Sequence, residues 1–593
     1  MRRVMIAILV VLWMPLAGGA QTASKDPLEG FDAFVDGVLK DHQSPGLAVA
    51  VVRDGKVIHA KGYGRRNVEK NLPVTPQTLF AIGSISKSFT STVMGVLADQ
   101  GKLEWDKPVR EYLPDFRLHD ATATAQMTPR DLVTHGSGLP RHDALWYGSS
   151  LTRQQMYDRL RHLEPSKDFR STWQYNNLMF MTAGYLAARL GDLSWEELVR
   201  QKIFVPLGMK TSNFSVTESQ KRADFALPYQ KVKEEPKEVP FRNIDEIGPA
   251  GSINSSVEEM AQYVLMHINK GKHGDRQILS ETNASQMQTP QMVMPGGPGQ
   301  FTEIGHSSYG MGWMISTYRG QKVVQHGGGI DGFTANLAFL PQQKAGLILL
   351  SNLGGNPASS VVTNNVLDRM LGLDQIAWNQ RTKELQKKAR DSAEEAKKKA
   401  ASARKTGTRP SHELKEYAGE YEHPGYGAAK IEVAGEDLKL AFNTFNVPLK
   451  HYHYDYFEVP EQPGVPISNA KVGFLTNLKG EIDSFTLPLE SSVKPITFAR
   501  AAEKAMQEKG FLQSFVGEYT LGQITAKVEL RDEKTLTLTV PGQPVHELVP
   551  MRGTSFDLKG VPGFSVEFKK DPSGAVTEMV THQPNGTFVA KRK

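Results

Sequence analysis

Ser84 and Lys87 stand three residues apart in Ser84-Ile85-Ser86-Lys87. On a helix that spacing stacks the two side chains on one face. A serine hydroxyl is a poor nucleophile until a neighbour takes its proton. A lysine partly desolvated beside another donor can be neutral enough to take it. Tyr175-Asn176-Asn177 adds a phenol suited to relaying protons and, in Asn177, an amide suited to holding Lys87 and a substrate amide. His326-Gly327-Gly328-Gly329 follows apolar Val323-Val324 and reads as a strand edge. Bare backbone at Gly327 and Gly328 lets a substrate lie close. The N–H of Gly329, with that of Ser84, would form an oxyanion hole. Together these residues are suited to attacking a carbonyl through a covalent acyl-enzyme.

Each stretch alone also has an ordinary reading. Ser-x-x-Lys recurs at Ser402/Lys405, Ser468/Lys471 and Ser491/Lys494, in a charged segment and a β-rich tail. Tyr175 also reads as a buried tyrosine beside a capping asparagine, and His326 as a histidine at a hairpin turn. Ser84 differs in context. Small Gly83 precedes it, and Phe89, Val93 and Leu97 recur every four residues after it. That stripe predicts a helix from Ser84 to about Gln100, stopped at Gly101. Ser84 would then sit near the helix N-terminus, where free N–H groups favour negative charge.

The elements that must position these residues are legible in outline. Residues 47–52 and 57–60 flank Asp54-Gly55, a strong hairpin signal. Helical patterns dominate to about residue 205, with loops around 136–150. Strand patterns return at 309–318, 322–326, 333–340 and 345–351. A sheet built from both ends of this region, with helices inserted between, fits that order.

Taken together, the motifs resemble the serine penicillin-recognising family: class C β-lactamases, low-molecular-weight DD-peptidases, D-aminopeptidases and related esterases. Further stretches carry the resemblance in order: Gly101-Lys102-Leu103, Asp106-Lys107-Pro108-Val109, Tyr112-Leu113-Pro114, and Leu132-Val133-Thr134-His135-Gly136-Ser137-Gly138-Leu139-Pro140. Pro206-Leu207-Gly208-Met209, Pro249-Ala250-Gly251 and Tyr309-Gly310-Met311-Gly312-Trp313 follow. It covers roughly residues 30–370. It implies an antiparallel sheet flanked by helices plus a helical subdomain, an α+β fold with the serine at their junction. It makes Ser84 the nucleophile, Lys87 its base, Tyr175 the general acid/base and Asn177 a substrate and lysine contact. His326 takes the first place of the third motif, where class C β-lactamases usually carry Lys-Thr-Gly. A histidine is only partly charged near neutral pH, whereas a lysine is a standing cation for a substrate carboxylate. His-x-Gly is commoner in the D-aminopeptidase and esterase branches. The resemblance thus implies cleavage of D-amino-acid-containing peptides or small esters. A β-lactamase, or a penicillin-binding-type sensor without turnover, is the alternative. No Gly-x-Ser-x-Gly elbow is present, which sets an α/β-hydrolase aside.

The 593 residues suffice for several domains. Arg2 and Arg3, an apolar run over 4–16 and Gly18-Gly19-Ala20 read as a cleaved signal peptide over residues 1–20. The expected address is therefore periplasmic or secreted, with no stable membrane span. Zero cysteines remove disulfides, thiolate metal sites and cysteine nucleophiles. The net charge of +6 is local. Residues 379–410 hold eleven Lys/Arg and four Asp/Glu (11 − 4 = +7), leaving −1 elsewhere. That strip predicts a solvated helical linker, with contact to a cell-wall-derived polymer or anionic lipid as the other reading. No motif supports nucleic-acid binding.

The catalytic region is expected at 27–378, the linker at 379–410, and two β domains at 411–500 and 511–593. Tyr417-Ala418-Gly419-Glu420-Tyr421 repeats as Phe515-Val516-Gly517-Glu518-Tyr519, 98 residues on (515 − 417). Alternating strands after each copy predict small antiparallel barrels, and the order resembles family members with one or two lipocalin-like barrels. A helical connector is expected over 501–510. His451, His453 and Asp455 would share a strand face, which invites a metal reading. The chemistry described needs neither metal nor cofactor, only a small-molecule or short-peptide substrate. Oligomeric state has no signal in the sequence.

Overall fold

A computed structural model describes residues 26–296, 301–462 and 464–593. The expected signal peptide lies outside them. The hairpin at Asp54-Gly55 joins strands Gly46–Arg53 and Lys56–Asn67, and both turn residues have positive φ (48° and 79°), as a twist-matched hairpin turn requires. These strands pair into a nine-stranded antiparallel sheet. Its centre runs Gln321–Ile330, Phe333–Leu340, Ala345–Ser351, Gly46–Arg53 and Lys56–Asn67, so both ends of the region meet in one sheet.

Strands Phe333–Leu340, Ala345–Ser351 and Gly46–Arg53 are buried on both faces, with alternating residues in two cores, whereas Lys56–Asn67 is largely exposed. Ala48, Ala50 and Val52, with Leu337, Phe339, Ile348 and Leu350, face the core shared with the helical inserts. Leu47, Val49 and Val51, with Ala338, Leu340, Leu347 and Leu349, face helices Phe31–His42 and Ala358–Met370. Burial on both faces explains why these strands read as continuous apolar runs.

The helix carrying Lys87 runs Ser86–Asp99 and is buried from Ser86 through Leu97. The expected start at Ser84 is shifted: Gly83–Ile85 form a 3-10 turn first. Gly83 has φ 53°, and a Cβ there would lie 2.6 Å from the backbone nitrogen of Gly329. The chain must turn tightly to bring Ser84 against the glycine strand, and the helix begins only after that turn. At the far end Lys102 N–H reaches Leu97 O and Gly101 N–H reaches Ala98 O, a Schellman-type stop.

Helix Trp378–Ser402 covers most of the basic strip. Two closed eight-stranded barrels follow, from Gly419–His423 to Ile496–Arg500 and from Gly517–Leu521 to Gly586–Arg592. The repeat has a structural reason. Tyr421 donates its hydroxyl to Tyr417 O, and Tyr519 donates to Phe515 O. Each tyrosine pairs in register with a closing arginine, Tyr421 with Arg500 and Tyr519 with Arg592. Each guanidinium donates to backbone carbonyls preceding its barrel's first strand, Arg500 to Glu416 and Ala418, Arg592 to Ser514 and Val516. The connector holds a 3-10 turn Lys504–Gln507 and a short helix Lys509–Gln513, extending past the expected 501–510.

The barrels differ in attachment. The first shares one continuous hydrophobic core with the catalytic region, whereas the second has its own. The metal reading at His451, His453 and Asp455 does not hold geometrically. The strand ends at His453, and Asp455 lies in the following turn, accepting hydrogen bonds from Ser411 and Tyr417. Among the described residues no cluster of three or more metal-ligating side chains occurs, and no helix is long and apolar enough to cross a membrane.

Candidate active site

Ser84 is half-buried at the 3-10 turn, and Lys87 is fully buried beneath it. Lys87 Nζ lies 3.1 Å from Ser84 Oγ, 2.7 Å from Asn177 Oδ1 and 2.7 Å from Ala250 O. A carbonyl oxygen accepts only. Two N–H groups of Lys87 therefore donate to Asn177 and Ala250. Burial, and then the Arg141 charge, push the Lys87 pKa well below the ordinary lysine value. A neutral amine has two N–H groups and one lone pair. With both donors committed, the lone pair is left for the Ser84 hydroxyl, and the arrangement can accept its proton.

Asn177 opens helix Asn177–Gly191, and Asn176 caps it through Met179 N. So Asn176 takes the ordinary capping role while Asn177 turns inward. Its Oδ1 accepts from Lys87, and its Nδ2 donates to Asp143 Oδ1 at 2.9 Å. Burial raises the Tyr175 pKa, opposed by the nearby Ser84 hydroxyl and by the Arg141 charge. Tyr175 thus stays a protonated phenol that can donate toward a leaving group. Lys87 Nζ and the Arg141 guanidinium lie 4.8 Å and 5.0 Å from its ring centroid.

The glycine strand runs directly past the turn. A Cβ at Gly328 would lie 1.9 Å from Ile82 O. Gly327 and Gly329 are exposed and Gly328 is half-buried, while their other edge pairs with Asn336, Ala335 and Thr334. The backbone of Ser84 and Gly329 therefore converges where an oxyanion would form.

His326 behaves differently from a cleft-facing third-motif residue. It is 1% exposed. Its Nδ1 donates to Gly327 O at 2.6 Å, so Nε2 accepts from Tyr309 OH at 2.9 Å. Burial, then the Lys87 charge, depress its pKa to about 3. The ring is neutral and turned inward, so the expected direct contact with substrate is not formed by this side chain. Of the third motif's glycines, Gly329 lines the cleft.

Three groups central to this geometry were not singled out from the sequence. His135 brackets Tyr175: its O accepts from Gln174 N at 2.9 Å, its Nδ1 accepts from Asn176 N at 3.0 Å, and its ring lies 4.4 Å from the Tyr175 ring. It holds a left-handed φ of 63° to do so. Arg141 and Asp143 form an ion pair at 2.6 Å in the cleft. The third group is a wall from the first barrel. Asn443 Nδ2 donates to Ala144 O and Tyr147 O, Thr444 N donates to Gly148 O, and Phe445 stacks on Tyr147 at 5.9 Å. The result is a cavity of about 550 Å³ lined both by Ser84 and by Phe442, Phe445, Ile467 and Leu489 of the barrel. His135 lies within the Leu132–Pro140 stretch that carries the resemblance, and Arg141 and Asp143 follow it directly; the barrel wall has no such signal.

The Beta-lactamase family model matches residues 31–369, and the chain belongs to that family. The stretch 403–500, which holds the first barrel, matches a domain of unknown function, DUF3471. Unguisins hydrolase ungD' of Aspergillus campestris is 29% identical over 422 residues, covering 68% of this chain and 77% of the relative. Protein flp of Staphylococcus aureus is 24% identical over 349 residues, covering 57% of this chain and 66% of the relative. The octameric penicillin-binding protein homologue from Pyrococcus abyssi superimposes with TM-score 0.53 at 23% identity, covering 87% of this chain and 99% of that one, and shares the fold. The protein is a serine hydrolase of the beta-lactamase family.

Proposed function

We propose that this is an exported hydrolase that cleaves amide or ester bonds, of D-amino-acid-containing peptides or small esters, through an acyl-enzyme at Ser84. The observation that carries the reading is the donor arrangement of Lys87, whose lone pair is left for Ser84. Ser84 Oγ attacks the carbonyl carbon, and its proton passes to Lys87 Nζ. The oxyanion sits between the N–H groups of Ser84 and Gly329. As the C–N or C–O bond breaks, Tyr175 delivers a proton to the leaving group and recovers one from Lys87. Water then attacks the ester carbonyl by the reverse relay and releases Ser84.

The buried, neutral His326 supports amide or ester substrates over penicillins, since it offers no cation to a β-lactam carboxylate. A hydrolase of unguisins among the relatives supports a hydrolytic enzyme. The leader-like segment over residues 1–20 supports export.

A panel of a chromogenic cephalosporin, a short-chain nitrophenyl ester and an N-acetyl-D-alanyl anilide, with Ser84→Ala as control, tests this reading. Serine-dependent turnover of the ester or anilide, with slow cephalosporin hydrolysis, is expected. Fast cephalosporin turnover would make the enzyme a β-lactamase. Acylation of Ser84 without turnover would make it a penicillin-binding-type sensor.

A further inference from the structure

Every charged side chain lining the cavity is already paired. Asp143 Oδ2 takes Arg141 Nε at 2.6 Å, and its Oδ1 takes Asn177 Nδ2 at 2.9 Å and Trp146 Nε1 at 2.7 Å. Asp331 takes the Tyr147 hydroxyl at 2.6 Å and Arg242 Nε at 2.9 Å. Arg141 is the sole lysine or arginine among the lining residues, and its charge is matched by Asp143. Lys87 and His326 lie below the surface, bonded to protein atoms.

A substrate ammonium entering this cleft would find no carboxylate without an arginine on it. A substrate carboxylate would find no cation without an aspartate. Either would meet a charge already matched by a counter-ion, beside the apolar surfaces of Trp146, Phe445, Ile467 and Leu489, where an uncompensated charge is costly. What these surfaces accept is apolar area with neutral hydrogen-bonding groups.

Resting on the serine-hydrolase reading above, we infer that the cleft selects substrates uncharged on both sides of the scissile bond: amides or esters with blocked α-amine and no nearby carboxylate, bearing an apolar side chain. This separates the enzyme from aminopeptidase and carboxypeptidase specificities, each of which needs an unpaired ion in the cleft. It places the first barrel in substrate recognition, since that domain provides a large part of the apolar wall.

One scaffold in three charge states tests this on the full-length protein. Diphenyl 1-amino-2-phenylethylphosphonate carries a free amine; its N-acetyl form is neutral, and its N-succinyl form carries a carboxylate. The readout is the second-order rate of adduct formation at Ser84, followed by mass spectrometry with Ser84→Ala as blank. The N-acetyl form should react at least about tenfold faster than either ion, the minimum expected of an unpaired buried charge. A free amine or a succinyl form reacting as fast overturns the inference. A small alkyl fluorophosphonate reports separately on Ser84 itself. If it labels and none of the three does, the apolar recognition is wrong; if nothing labels, the hydrolase reading fails and the inference with it.

Discussion

Tyr309 donates its hydroxyl to His326 Nε2 at 2.9 Å, while His326 Nδ1 donates to the next residue's carbonyl. The two bonds fix the tautomer, turn the ring inward and leave the third motif without charge. Replacing His326 by lysine therefore does not create a penicillinase. His326→Lys should lose about 3 kcal/mol or more of stability, because it buries an unpaired ammonium. Thermal melting and cephalosporin hydrolysis check this together; a stable variant with fast cephalosporin turnover would refute it.

The depressed Lys87 pKa carries a pH signature. Below it the amine is protonated and cannot accept from Ser84, so kcat/KM should fall on the acid side with a midpoint far below the ordinary lysine value. The Arg141 charge contributes to that depression, after burial. Arg141→Met should let Lys87 hold its proton more tightly and move the acid limb to higher pH. A pH–rate profile of both proteins decides it, and an unmoved limb would remove Arg141 from the tuning.

Gly328 is where the strand touches the nucleophile turn, with room for no Cβ against Ile82 O. Gly328→Ala should push the Gly329 N–H away from Ser84 and lower kcat by about 100-fold or more, the scale of a lost oxyanion donor. Steady-state kinetics beside circular dichroism would show whether the loss is local to the site.

His135 is a positioning residue for Tyr175. His135→Phe keeps an aromatic ring but removes the acceptor for Asn176 N–H, at a cost of about 1–3 kcal/mol for the unpaired buried donor. Its kcat should fall about tenfold or more with KM little changed, since geometry and not binding is lost. His135→Asn, which restores an acceptor, should recover part of kcat; no difference between the two variants would reduce His135 to packing.

Ser84, Lys87, Tyr175 and Asn177 were legible because short-range spacing and order carry them. The central strands were legible because burial on both faces leaves apolar runs. His326 was legible as a residue but not in its orientation. That depends on Tyr309, seventeen residues upstream in sequence and brought beside it only by folding, across the intervening strand Met314–Tyr318. Arg141 and Asp143 sit in a loop without period, so no pattern pointed them at the serine. The barrel hairpin at Asn443–Phe445 resembles any other β-turn until it meets Ala144 and Tyr147. Docking between distant domains is written in surface shape, and shape has no local period to read.

The bond from Asn443 to Ala144 joins residues 299 positions apart. A chain is made from its N-terminus, and domains tend to fold in that order. Ser84, Lys87 and Tyr175 are all synthesised before the strip of helix that precedes the first barrel, so the reactive group is assembled while the cleft still lacks one wall. On the proposed reading, reactivity is the earlier property and discrimination the later one. A chain cut short between them would be a nucleophile without a sense of what to attack.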